Sequence, residues 1–332
     1  MSIATKSSFQ IYNEYIHEAL SETLTQASEA FNAASQGAIQ LSSVLRQGDY
    51  AYESFFASVS SLVSRRVTTG TAATADATDL NLTQGQKVAV KVNRKVGPVA
   101  NTLDSFKKIQ QGPFNEDALN WAIGVQAAKA MQVNMLNTAL YAARAALNNQ
   151  SSVKYTVTSS GTLSNTGLVQ GLAKFGDNAG RIICWVMHSK PFYDLVGAQI
   201  TANIHGVTDF VLGAATPVTL GRPVLVTDSA ALFTTIVSPA STTYYTLGLT
   251  QAAIEVEDSE ETTMYSDLIT GKENLFVRFQ GEFAYNVALK GFAYDVSNGA
   301  ENPSDSTIAT GGNWDPYAAS YKDYAGVVIL SA

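Results

Sequence analysis

The stretch GEFAYNVALKGFAYD at 281–295, followed by ENPSDSTIATGGNWD at 301–315 and KDYAGVVI at 322–329, decides how this chain is read. An aromatic run closes on a Gly-aromatic step at Gly291-Phe292, and an Asn-Pro turn follows at Asn302-Pro303. A Gly-Gly break, an Asn-Trp-Asp anchor at 313–315 and a short apolar run at 326–330 complete the order. Apolar and aromatic runs bounded by Gly and Asn-Pro are strand and turn signals. Extended backward, NLFVRFQGEFAYNVAL at 274–289 reads as one long strand.

A long strand needs a partner surface, and the strongest helix in the chain supplies one. After Gly112-Pro113, Asn115 is a good N-cap, and Glu116 and Asp117 favour the positive end of a helix. ALNWAIGVQAAKAMQVNMLNTALYAARAAL then runs to Leu147 without a proline. About thirty residues at 1.5 Å each make a rod of roughly 45 Å, and its many alanines allow close approach along it. Upstream, Phe9, Tyr12, Ile16, Leu20, Leu24, Ala27 and Phe31 fall three and four apart, one helical stripe ended by Gly37.

Between 48 and 103 the period changes to two. Val88, Val90, Val92 and Val96 face one way and Lys87, Lys91 and Lys95 the other, a half-buried strand with a Lys-studded face. An earlier run, 55–67, ends near Arg65 and Arg66, and a long polar connection separates the two. Such a hairpin is marginal alone and needs a surface to lie on. From 151 to 262 the pattern is mixed: a helix at 167–175, the buried strand RIICWVM at 181–187, a helix from Lys190 capped by Ser189, then LGRPVLVTD at 220–228 and further strands.

Composition bounds the function independently. Of 332 residues only 15% are charged and 46% are hydrophobic, against roughly 25% charged in an ordinary soluble domain. Sparse charge over a chain this long points to extensive contact surfaces with other subunits. The uncharged run 229–254 holds Pro239 and nine Ser or Thr residues, so it reads as strands and turns, and no membrane span is expected. There is no secretory signal, and Asn81-Leu-Thr and Asn149-Gln-Ser carry no glycosylation meaning without one. The single Cys184 fits a reducing cytoplasm. The net charge of -7 argues against a nucleic-acid reader with a basic face.

The order of these segments resembles the major capsid proteins of tailed bacteriophages, most specifically from Ile182 to the end. The resemblance implies an α+β capsid fold with an N-terminal arm at 1–48 and an extended hairpin at 49–105. It implies a peripheral domain at 106–150 and 263–332 with a spine helix at 115–147 and C-terminal strands, and an axial α/β domain at 151–262. It further implies pentamers and hexamers in an icosahedral shell around double-stranded DNA, assembly in the host cytoplasm, and portal and scaffolding partners, with decoration proteins as a further class. A separate scaffolding protein is expected, because the region before the hairpin is short. Encapsulin-type compartment shells share the fold and are the nearest alternative.

No catalytic constellation stands against this. His17, His188 and His205 fall on different elements without a metal-ligand spacing, and there is no P-loop, GxGxxG or GxSxG. An α/β enzyme using His188 as acid-base is the alternative from another class; no cofactor or metal is expected. No spacing singles out a Lys-Asn pair for covalent cross-linking. The residues read as functional are charges. Arg65, Arg66, Lys87, Lys91 and Lys95 sit on the hairpin, and Glu255, Glu257, Asp258, Glu260 and Glu261 form an acidic run. The expectation is that the basic hairpin of one subunit meets the acidic run of its neighbour.

Overall fold

The computed structural model describes residues 31–42, 48–56, 84–102, 116–157, 161–204, 219–237 and 240–332, with single positions elsewhere, Arg65 and Arg66 among them. The N-terminal stripe from Phe9, the cap at Asn115, His17 and His205 lie outside these residues. Gly37, at φ +74, ends the helical turn at 31–34 as its position predicts.

Two sheets share the helix α1, Glu116–Asn149. The first sheet, which holds most of the segments expected to be peripheral, runs β2 (Tyr50–Phe56), β3 (Gln84–Thr102), β10 (Phe276–Leu289), β9 (Ile254–Ile269) and β1 (Ile39–Ser42). All its pairings are antiparallel except β1 on β9. β10 is the central strand. Its odd residues Phe283, Tyr285, Val287 and Leu289 are buried toward α1, with Val88, Val90 and Val92 of β3 beside them.

The opening stretch folds as a compact corner on this sheet. Lys290-Gly291 turns β10 into β11 (Phe292–Tyr294), with Leu289 opposite Phe292. Gly291 holds φ +82, and a Cβ there would stand only 3.0 Å from Tyr324 Cα. β11 pairs with β12 (Trp314–Pro316). Between them, Asn302 takes φ +48 and accepts the Asn93 N–H at 2.9 Å. Gly311 lies so close to α1 that a Cβ there would meet Ala145 O at 2.8 Å. Asn149 donates to Gly311 O at 3.2 Å, fastening the corner to the end of the helix.

The second sheet, which holds most of the segments expected to be axial, is β4 (Lys154–Thr156), β13 (Gly326–Ser331), β8 (Ala240–Thr250), β5 (Ile182–Met187) and β6 (Val224–Val226), with β7 (Phe233–Val237) hairpinned on β8. Helices α2 (Asn165–Ala173) and α3 (Ser189–Ile204) belong to this half, and a short α4 (Asp305–Ile308) to the corner. α1 serves both halves with different residues. Asn134 and Thr138 meet Tyr285 of the first sheet. Arg144 donates to Ala231 O at 3.0 Å beside β7 and stacks 5.1 Å from the Tyr245 ring of β8. Along the same stretch Ala139, Ala142, Ala143 and Ala146 are fully buried, the close approach that an alanine-rich helix permits.

Three placements differ from the sequence reading. The terminal strand β13 lies in the second sheet, between β4 and β8, because an almost wholly apolar strand needs burial on both faces. β9 belongs to the first sheet from Ile254, not from 263, since it pairs with β10 along its whole length. The first hairpin strand is Tyr50–Phe56 in place of 55–67; most of 57–67 lies outside the described residues.

Candidate functional site

The charged residues singled out from sequence converge on the outer face of the first sheet, the face turned away from α1. Lys87, Ala89 and Lys91 alternate with the inward valines, so they point outward. β10 lies between β3 and β9, and two ion pairs straddle it. Lys87 Nζ stands 2.5 Å from Glu255 Oε2, with Glu53 of β2 at 3.7 Å, and Lys91 pairs with Glu260. The β10 residues beneath are small: Ala288 is opposite Glu255 and Ala284 opposite Glu260, both buried. Short side chains there leave room for each lysine stem to cross two strand spacings of about 4.8 Å.

This geometry revises the expected contact. For Lys87 with Glu255, and Lys91 with Glu260, basic and acidic runs pair within one chain. The cause is strand order: β10, remote in sequence from both, brings β3 and β9 into one sheet. Lys91 is only 7% exposed, so it is committed to this pair. Burial works against the Lys87 ammonium, but the hydrogen bond and charge of Glu255, aided by Glu53, outweigh it and raise its pKa. That contribution is complete below pH 10.5 and is lost as pH rises through the folded value.

The remaining residues stand apart. Glu257 lies opposite Asn286 on the outer face. Asn286 is buried between the two bridges, and its amide has no hydrogen-bond partner among the described residues. Asp258 lies opposite Tyr285, on the helix side, next to a break in register. Desolvation raises its pKa to about 6. Lys95, Glu261, Arg65 and Arg66 are exposed. Glu282 of β10, which sequence reading passed over, faces Lys95 directly across the strand pair. Its signal was present: even residues of β10 share the face of odd residues of β3.

Beneath the sheet, Tyr285 Oη donates to Asn134 Oδ1 at 2.8 Å and lies 2.8 Å from Thr138 Oγ1, which can donate in return. Arg94, beside it, pairs with Asp305 of the corner. Tyr285→Phe should cost about 1–2 kcal/mol, the range for losing a buried hydrogen bond and stranding its partner. The midpoint of urea unfolding reads this directly.

His188 is a cap, not a base. Its Nδ1 accepts the Lys190 backbone N–H at 3.2 Å at the start of α3, which leaves Nε2 facing Asp228 Oδ1 at 3.6 Å. Asp228 also accepts the Ser189 N–H at 3.3 Å. That hydrogen bonding, with the nearby imidazole, lowers its pKa. The imidazole is wedged against Phe233 and Tyr244 at 5.5 and 5.2 Å. A base needs a free lone pair aimed at substrate, and this ring's lone pair is spent on the helix end. The helix thus begins at Ser189, with His188 and Asp228 in the capping role expected of Ser189. Cys184 is fully buried, and desolvation pushes its thiol up to about 11, an inert setting. Among the described residues no three His, Cys, Asp or Glu are grouped to hold a metal, and no helix is long and apolar enough to cross a membrane.

A long helix shared by an extended sheet and a mixed α/β half is the fold that the resemblance to tailed-phage capsid proteins implied. The chain belongs to the Gp13-like family, described as major capsid protein 13-like, whose sequence model matches residues 8–328. It is therefore a capsid protein, a structural protein of the virion that self-assembles into a shell. Among solved structures it is similar to the capsid asymmetric unit of cyanophage Pam1, at 13% identity over 89% of this chain and 88% of that one, TM-score 0.52. It is similar to the capsid of Ralstonia phage GP4, at 9% identity over 90% and 87%, TM-score 0.51. A third is the acidic stable capsid of Helicobacter pylori bacteriophage KHP30, at 12% identity over 89% and 88%, TM-score 0.50. A search of curated proteins finds no match to this sequence.

Proposed function

We propose that this subunit forms pentamers and hexamers that close around packaged double-stranded DNA, with assembly in the host cytoplasm. The family match across residues 8–328 supports this reading, because it spans nearly the whole chain. Packaged DNA presses outward, so strength has to come from many shared interfaces more than from one subunit's modest stability. The net charge of -7 keeps the wall from binding the DNA it encloses. The domains take the roles of N-terminal arm, extended hairpin, peripheral domain and axial domain, with α1 as the spine. A portal complex and a separate scaffolding protein are its assembly partners, and a decoration protein is a further one.

Electron microscopy of the native particle, with nuclease digestion before and after opening it, tests the reading. Nuclease-protected double-stranded DNA inside a closed icosahedral shell with a portal vertex is the expected result. Shells that enclose a cargo protein without nucleic acid would overturn it in favour of a compartment shell. Uniform shells of correct size from this chain alone would remove the scaffolding partner.

A further inference from the structure

Asn298-Gly299 is the one Asn-Gly pair in the chain, and it stands on the exposed loop that leaves β11. An asparagine before glycine is open to attack by the next backbone nitrogen, because glycine puts no side chain in the way. The Gly299 N bonds to Asn298 Cγ as the Cγ–Nδ2 bond breaks, and the Gly299 amide proton leaves with that nitrogen as ammonia. Water then opens the succinimide ring at either carbonyl, leaving aspartate or isoaspartate at 298. Water is the only co-reactant, so the folded geometry sets the rate.

The fold ties up both reacting groups, and Asp295 is the tie. Gly299 N donates to Asp295 O at 2.8 Å, so the nucleophile is already engaged. Asn298 Nδ2, the leaving nitrogen, donates to Asp295 Oδ2, while Oδ1 accepts the Ser297 and Asn298 N–H groups at 2.8 and 3.2 Å. The Asn298 side-chain bond, with the Ser297 N–H, lowers the Asp295 pKa, so the carboxylate stays ionised and only accepts. An amide that donates to a carboxylate keeps more electron density on its carbon and is a poorer target for attack. Gly299 itself lies against Tyr294, where a Cβ would stand 2.4 Å from Tyr294 Cζ, and Tyr294 is 2% exposed. Packing thus demands glycine at 299, and a labile pair results.

We propose that Asn298-Gly299 is a site of spontaneous conversion to aspartate or isoaspartate, and that Asp295 is the positioning residue that holds it closed in the folded subunit. Conversion does not stay local. A carboxylate at 298 faces that of Asp295 where a donor stood, and isoaspartate routes the backbone through an extra methylene next to Gly299. Gly299 then loses its seat on Tyr294, whose ring meets Trp314 edge-on at 5.4 Å. Damage at the loop therefore reaches the corner that is fastened to α1. This inference concerns the subunit's chemical lifetime and stands apart from the shell reading.

The experiment incubates the full-length subunit at mildly alkaline pH and follows the peptide that holds Asn298 by mass spectrometry and by isoaspartyl methylation. Folded wild type should convert at least about tenfold more slowly than the same chain unfolded in urea, about 1.4 kcal/mol of barrier. Asp295→Ala should recover most of the unfolded rate, with unchanged circular dichroism. Asp295→Asn keeps an oxygen for the Ser297 and Asn298 N–H groups but loses the carboxylate contact to the Asn298 side chain, so its rate should fall between the two. Asn298→Gln, whose longer side chain needs a larger ring, gives the blank. Equal rates in folded and unfolded wild type overturn the protection, and wild-type rates in both Asp295 variants overturn the role of Asp295. If Asp295→Ala unfolds, the rate of Asp295→Asn against wild type decides.

Discussion

Trp314→Ala should lower the unfolding free energy of the subunit by about 3–5 kcal/mol, the cost of deleting a large buried aromatic side chain. Trp314 is 1% exposed; its indole Nε1 donates to Ile308 O at 3.0 Å, and Tyr294 meets it edge-on at 5.4 Å. It pins the corner made by β11, β12 and α4. That corner in turn holds Gly311 against the end of α1 and Asn302 against β3. With total stability of about 5–15 kcal/mol for a domain, this one change removes a large share. Trp314→Phe keeps the ring and loses the hydrogen bond, so it should cost less than half as much. Urea unfolding of wild type and both variants checks the ranking, and a loss below about 1 kcal/mol for the alanine variant would show that the corner carries no load.

The same corner shows what a sequence can disclose. Gly291, Asn302, Gly311 and Trp314 were legible because each is a residue type that a local backbone demand selects: a left-handed turn, a close approach, a large anchor. The long helix was legible from one uninterrupted alanine-rich run, and its buried alanines explain the composition. The site was legible only by half. Period two puts Lys87, Lys91 and Lys95 on one face, but it does not say which strands lie next to β3. That depends on β10, whose residues pair with Lys91 and Lys95 from nearly two hundred positions away. Without that order, a basic run and an acidic run look like partners in different subunits. Two of the bridges close inside one chain. His188 was ambiguous for a related reason, since the carboxylate that orients it, Asp228, follows β6.

Asp258 is where the fold works against its own charge, and the consequence depends on pH. It stands opposite Tyr285 on the helix side of β9, and burial alone raises its pKa to about 6 from an ordinary 3.8. The lysines of β3 give it no relief, because they lie on the opposite face, paired with Glu255 and Glu260. The folded state therefore holds the proton more tightly than the unfolded chain. Between pH 4 and pH 6 the folded subunit binds more protons, so stability falls as pH rises through that window, and the penalty is complete above it. A shift of this size corresponds to at most about 3 kcal/mol, and residual contact with water reduces it to about 2 kcal/mol. Asp258→Asn, nearly isosteric and uncharged, should stabilise the subunit by about 2 kcal/mol at pH 7.5 and by almost nothing at about pH 3, below the unfolded pKa. The difference between wild type and variant at the two pH values isolates this group from the other carboxylates, which titrate in both proteins. A gap that stays the same at both pH values would mean that the carboxylate is solvated and that its burial costs the fold nothing.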